Sequence, residues 1–292
     1  MEKKTIYALG FFDGVHIGHQ ALLTACGHLA QRKGCEVGVV TFDTHPDGVV
    51  ANQAPPLINT VEERRWLLAV KHFVVLPFDG KMMQTPWQTF LEDLIRHHNA
   101  AGFVCGDDFR FGHKGEGTAQ SLAQFCRERN MPYAIVPERT INGVRISSTH
   151  IRSLIEAGDM ETAAEFLGHP HILSGRVVQG RQLGRTIGIP TANLLLPQGV
   201  VVPRLGVYAC TCWVDGKVYQ SVTNIGSRPT VEGHQVRAES WILDFDGDLY
   251  GKWIQLQFYK FLRPERKFPS LEELRAEIQK NAAETRKFFE KQ

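Results

Sequence analysis

Short apolar runs and helix-period stretches take turns along the first half of the chain and then stop doing so. Thr5 to Gly10 reads as a strand, Gly10-Phe11-Phe12-Asp13-Gly14 as a loop, and Gln20 to Lys33 as a helix. Strands are expected again at Glu36 to Phe42, Phe73 to Phe78, Gly102 to Cys105 and Tyr133 to Val136. Between them lie helical stretches, one opened by a Thr60/Glu63 capping box, others at Trp87 to His97 and Ala119 to Arg129. Strands separated by helices of this length pair in parallel, which predicts a doubly wound α/β sheet with ligands at the strands' carboxyl ends. Two short helices, Thr149 to Ala157 and Met160 to Leu167, close at Gly168 before Pro170.

Beyond that point only β-prone runs remain: Leu173 to Val178, Val207 to Val214, Lys217 to Thr223, Ala238 to Leu243 and Trp253 to Phe261, separated by Gly, Pro and Asp turns. A small β-barrel fits this texture, and a charged helix from the Ser270/Glu273 capping box towards Phe289 is expected to lie across it. The expected domains are therefore 1–168 and 169–292. A content of 43% hydrophobic and 22% charged residues supports such cores without staples. Thirty-three basic residues against 31 acidic ones leave a net charge of +2, which argues against nucleic acid or an anionic membrane as partner. The apolar stretch from Trp66 to Phe78 is broken by Lys71, His72 and Pro77, so no membrane-spanning helix is expected. Six cysteines without a C-x-x-C pair, and no signal-like start, read as reduced thiols in a cytoplasmic protein. Self-association is left open by the sequence.

The chemistry concentrates at a few places. His16-Ile17-Gly18-His19 lies between a strand end and a helix start, where residues three apart face one way. Two imidazoles could then address one phosphate chain, with Gly18 letting the backbone approach and the helix N-terminus adding N–H groups. Ser147, Ser148 and Thr149 place three hydroxyls at another helix start and Arg152 one turn inside, a composition suited to triphosphate oxygens, although simple N-capping would use the same serines. In the second half, Gly175 to Gly180 and Gly184-Arg185-Thr186-Ile187-Gly188-Ile189-Pro190-Thr191-Ala192-Asn193 form glycine-rich segments able to turn backbone N–H groups towards anions. In an extended segment Thr191 and Asn193 share a side and could offer oxygens to Mg²⁺; turn hydrogen bonds would explain them equally. Asp244, Asp246 and Asp248 read as a turn.

Taken together, Gly14 to His19, Thr41-Phe42-Asp43-Thr44-His45-Pro46, Gly106 to Gly112 and Ser147 to Arg152 resemble the FAD synthetase module of prokaryotic bifunctional riboflavin kinase/FAD synthetases. Gly188 to Asn193, Asn224 to Thr230 and Glu239 to Gly251 resemble the riboflavin kinase module of the same family. The resemblance implies an HxGH nucleotidyltransferase domain followed by a kinase barrel, with ATP, riboflavin and FMN as substrates and Mg²⁺ as the required ion. It places His16, His19, Gly14, Gly18, Ser147, Ser148, Thr149 and Arg152 around ATP phosphates, and the loop with Asp108 and Phe111 against the flavin. It further assigns Gly180, Gly184, Arg185, Gly188, Thr191 and Asn193 to the kinase nucleotide and metal, and Glu239 to the catalytic base. Asn281 stands where relatives often carry Asp. His-Ile-Gly-His also occurs in class I aminoacyl-tRNA synthetases, and Lys81-Met82-Met83-Gln84-Thr85 mimics the start of their second motif. It lacks that motif's second lysine and lies inside the α/β half, and no basic anticodon-binding region follows. A chain with a silent kinase module and a non-catalytic flavin sensor are the remaining alternatives.

Overall fold

The computed structural model describes residues 3–46, 48, 54–180, 184, 188–230 and 233–291, the side chains of 228–230, 233 and 234 excepted. The chain divides into two compact units, Met1–Leu57 with Arg64–Ser148, and Ile58–Glu63 with Thr149–Gln292.

The first unit runs β1 (Thr5–Leu9), α1 (Ile17–Lys33), β2 (Glu36–Phe42), α2 (Val61–Leu68), β3 (His72–Leu76), α3 (Gly80–Gln84), α4 (Trp87–His98) and β4 (Ala100–Gly106). It continues through the short pair β5 (Arg110–Phe111) and β6 (Gly117–Thr118), α5 (Ala119–Glu128), β7 (Tyr133–Val136), and a second short pair, β8 (Thr140–Ile141) and β9 (Val144–Arg145). Five strands form a parallel sheet in the order β3-β2-β1-β4-β7. β1 shows why the sheet is covered on both sides. Its residues alternate, Ile6 and Ala8 packing with Leu22, Cys26 and Leu29 of α1, while Tyr7 and Leu9 pack with Phe90, Leu94 and Phe125 of α4 and α5. The chain steps from β1 outward to β3, then returns to β4 on the other flank of β1. The order therefore reverses between β1 and β4, where the carboxyl ends of both strands border one crevice.

The second unit contains α6 (Ser148–Ala157) from Thr149 on, α7 (Met160–Leu167), β10 (His171–Arg176), β11 (Ala192–Leu195), β12 (Gly206–Val214), β13 (Lys217–Thr230), β14 (Gly233–Ile242), β15 (Trp253–Pro264) and α8 (Leu271–Phe289). Asp159 caps α7 by accepting from the Thr162 N–H at 3.1 Å, and Gly168 ends it in the left-handed region at φ 78°. The six strands form one antiparallel sheet in the order β10-β15-β12-β13-β14-β11. Past β10, the Val178 N–H reaches the Asn193 carbonyl of β11 at 2.8 Å, so the first strand's continuation meets the last and the sheet nearly closes into a barrel. Helix α8 starts at Ser270, whose Oγ accepts from the Glu273 N–H at 3.2 Å. Its Ala282 packs on Val207, Val222 and Leu243. The Thr60/Glu63 capping box forms in both directions, at 2.9 and 3.2 Å, and the same Glu63 carboxylate accepts from the N–H and Oγ of Ser174 in β10 at 2.7 and 2.8 Å. Burial holds that carboxyl above its ordinary range despite these donors.

Candidate active sites

In the first unit the loop between β1 and α1 is wound tightly: Phe12, Gly14 and Val15 all take positive φ, at 61°, 81° and 41°. For the β-branched Val15 this is a strained conformation that surrounding contacts have to hold. The loop delivers His16 as the N-cap of α1, its Nδ1 accepting from the His19 N–H at 3.3 Å. His19, one turn on, stacks on His16 with ring centroids 3.6 Å apart and planes 13° from parallel. A Cβ at position 18 would stand 3.1 Å from His16 Nδ1, so Gly18 gives the capping ring its place. Phe12 packs against the far side of His19 at 5.0 Å, and the His19 Nδ1 is buried with no hydrogen-bond partner. The His19 ring keeps some exposure, yet burial first, then His16 and Arg64, hold its pKa well below the ordinary imidazole value. The imidazolium form is thus disfavoured at His19.

Other expected residues of this half sit as follows. Ser148 Oγ donates to the Asp13 carbonyl at 2.9 Å. Ser147 is half-buried, Thr149 is exposed, and Arg152 lies one turn into α6 with 8% exposure. The second loop at the crevice follows β4. There Asp108 is exposed and bonds Arg145 of β9 at 2.6 Å, while Phe111 is buried in the core beside Trp87 and Phe90. Phe109, half-buried, stacks on Phe111 at 5.3 Å.

In the second unit one row of side chains crosses five strands. Asn193 of β11 pairs with Glu239 of β14, Glu239 with Asn224 of β13, Asn224 with Val207 of β12, and Val207 with Arg263 of β15. Directly opposed residues point to the same face. All five line a cavity of about 310 Å³, together with Gly184, Thr191, Trp241, Glu265 and, from α8, Leu274, Ile278 and Asn281. That volume suits a small organic ligand. Asn193 is 6% exposed and its amide lies under Gly180, where a Cβ would meet it at 2.5 Å. Gly188 takes φ +72°, and Arg185 lies outside the described residues. Asn224 donates to Glu265 at 3.1 Å, so the polar wall holds two carboxylates and several neutral oxygens. Such a hard oxygen set, without sulfur or imidazole, fits Mg²⁺. Asp244 sits at φ 57° and is held by both nitrogens of Arg286 at 2.7 and 2.9 Å, which lowers its pKa, as a turn residue pinned to α8.

The chain matches the FAD synthetase family model over residues 1–150 and the riboflavin kinase family model over residues 167–289. It is 36% identical to the bifunctional riboflavin kinase/FMN adenylyltransferase of Listeria monocytogenes, across 98% of this chain and 93% of that relative. The Escherichia coli protein of the same name is 38% identical across 97% and 92%. The chain belongs to the bifunctional riboflavin kinase/FMN adenylyltransferase family. A solved Streptococcus pneumoniae structure described as a macrolide-efflux protein shares its fold with a TM-score of 0.86 and 30% identity, covering 98% of this chain and 95% of that one. Among the described residues of this chain, no helix is long and apolar enough to cross a membrane.

Several residues at the two sites carried no signal in the sequence. Arg64, fully buried, donates to the Phe11 carbonyl and Thr41 Oγ1 at 2.7 Å each and to the Phe42 carbonyl at 3.0 Å. Arg263 donates to Asn281 at 3.1 Å and pairs with Glu277 at 3.3 Å beside the cavity. An arginine side chain is ordinarily solvated, so neither position stood out locally. For Arg64 only its place directly after a capping-box glutamate set it apart.

Proposed function

We propose that this family member makes FAD in two ATP-dependent steps, each on its own module. In the barrel, the Glu239 carboxylate accepts the 5′-hydroxyl proton of riboflavin as that oxygen attacks the γ-phosphorus of ATP, giving FMN and ADP. Thr191 and Asn193 would hold Mg²⁺, which would supply positive charge against the transferring phosphate. The glycine-rich segments through Gly180, Gly184, Arg185 and Gly188 then follow the nucleotide phosphates.

In the FAD synthetase module, an FMN phosphate oxygen attacks the α-phosphorus of ATP and pyrophosphate leaves. His16 and His19, with the N–H groups at the start of α1 and the backbone at Gly14 and Gly18, stabilise charge as it moves to the leaving group. Ser147, Ser148, Thr149 and Arg152 position the triphosphate, and the Asp108 to Phe111 loop holds the flavin. The FAD synthetase module runs to Gly168 and the riboflavin kinase module follows it, a division supported by the helix end at Gly168. All six cysteines are free thiols, which supports a reducing, cytoplasmic setting.

The observation that carries this reading is that each unit has its own cluster of side chains suited to phosphate chemistry: a stacked histidine pair at the β1/β4 switch point, and Glu239 between Asn193 and Asn224 in the barrel cavity. The test incubates the pure protein with riboflavin, ATP and Mg²⁺ and separates the flavins over time, beside a reaction started from FMN. FMN appearing before FAD is expected. FAD formed only from supplied FMN would mean a silent barrel, and no turnover in either reaction would turn the reading towards a flavin-binding sensor.

A further inference from the structure

Arg64 is a cation placed where the protein has to make room for it. Its side chain is fully buried, and three of its hydrogen bonds go to neutral acceptors: the Phe11 and Phe42 carbonyls and Thr41 Oγ1. Its guanidinium also stands 4.5 Å from the centroid of the Phe11 ring, a cation–π contact. Burying a guanidinium is costly, so a fold that keeps one gains something specific from its planar fork.

The acceptors say what that is. Phe11 precedes the strained Phe12-to-Val15 turn that delivers His16 and His19, and Thr41 and Phe42 end β2, the rigid neighbour of β1. Thr41 Oγ1 itself donates to the Phe11 carbonyl at 2.8 Å, so that carbonyl is held from two directions. One side chain from α2 thus clamps the entrance of the strained loop to the sheet. Resting on the adenylyl-transfer reading, we propose that Arg64 is a positioning residue for FMN adenylylation, fixing the histidine loop through the Phe11 carbonyl and placing a permanent positive charge behind His19.

The two parts of this role separate chemically. Lysine keeps the charge but loses the fork; methionine loses both. The groups that depress His19 are its own burial, His16 from the cap of α1 and Arg64 from α2. Removing the Arg64 charge lifts one of the two charge effects that disfavour imidazolium, so the His19 titration moves to higher pH.

The test measures FAD formation from FMN, FMN formation from riboflavin, and the His19 ring titration by NMR, in the full chain with Arg64→Lys and Arg64→Met. Arg64→Lys is expected to lower kcat for FAD formation roughly tenfold to hundredfold, as displacement of a reacting group does, with the His19 titration unmoved. Arg64→Met is expected to lower it at least as far and to shift both the His19 titration and the acid limb of the pH profile upward. FMN formation stays at the wild-type rate in both. Unchanged FAD kinetics in Arg64→Lys, or an unmoved His19 titration in Arg64→Met, would overturn the proposal. Equal loss of both activities would overturn it too, because Arg64 would then serve folding in general. Wild-type protein and His19→Ala run alongside: a wild type that makes no FAD from FMN sinks the adenylylation reading itself, whereas active wild type, inactive His19→Ala and indifferent Arg64 variants sink only the role of Arg64.

Discussion

Glu239 and His171 are titratable side chains of one barrel placed under opposite demands. Glu239 lines the cavity half-buried, between Asn193 and Asn224 on the neighbouring strands. If it takes the riboflavin proton, Glu239→Gln keeps the shape and loses the base. FMN formation should fall by ~10²–10⁴-fold, the usual worth of a general base, while FAD formation from supplied FMN persists. Chromatography of the two reactions decides, and an unchanged kinase rate would remove Glu239 from the role. His171 does no such work. It is fully buried opposite Phe258, neither ring nitrogen has a hydrogen-bond partner, and burial, followed by His169, lowers its pKa from 6.5 to about 3. A group whose folded pKa is depressed contributes fully above its unfolded value. Its contribution is then lost as pH falls from 6.5 towards 3. In that window the barrel should lose up to roughly 1.4 kcal/mol per pH unit from this residue. Urea midpoints measured against pH should show a shallower acid slope in His171→Leu, and an identical slope would mean the imidazole relaxes into water before it charges.

At the scale of elements, α8 closes the barrel cavity through a small set of polar contacts. Asn281, 2% exposed, accepts from Arg263, and Arg263 in turn pairs with Glu277 one helical turn back along α8. Asn281→Ala removes one of the two acceptors facing the Arg263 Nε and leaves it Glu277 alone, at about 1 kcal/mol. Because both residues line the cavity, KM for riboflavin should rise more than kcat falls, and FAD formation from FMN should not change. Steady-state kinetics of the two reactions, with a thermal melt, tests this. The elements show what a sequence can and cannot carry. β2, β7 and α7 lie where periodicity places them, because each is a local pattern bounded by turn or cap residues. The Thr60/Glu63 box was legible for the same reason, but the second partner of Glu63, Ser174, is 111 residues away and left no mark nearby. β11 is four residues inside a glycine-rich stretch and is a strand only because β14 and the continuation of β10 pair with it. β13 and β14 extend as a hairpin to Thr230 and Gly233, well past their apolar cores, held by register rather than by hydrophobic alternation. The candidate site motifs are local patterns that a sequence displays, whereas the contacts of Arg64 and Arg263 join residues far apart in the chain.

At the scale of the whole molecule, the chain carries two reactions in which the product of one is the substrate of the other. The candidate reacting groups lie in different compact units: the histidine pair in the one built on the parallel sheet, Glu239 in the barrel. Such a division means that a defect in one chain need not be repaired in the same chain. His19→Ala should convert riboflavin only as far as FMN, and Glu239→Gln should convert supplied FMN but not riboflavin. Mixed at equal concentration, the two variants should restore FAD formation from riboflavin, with a lag while FMN builds up in solution. The lag should shorten as the His19→Ala protein is increased, because that chain supplies the FMN. Time courses of the mixture, with each variant alone as control, test the arrangement. A mixture that accumulates FMN without FAD, although Glu239→Gln alone adenylylates supplied FMN, would mean that FMN stays bound to the chain that made it.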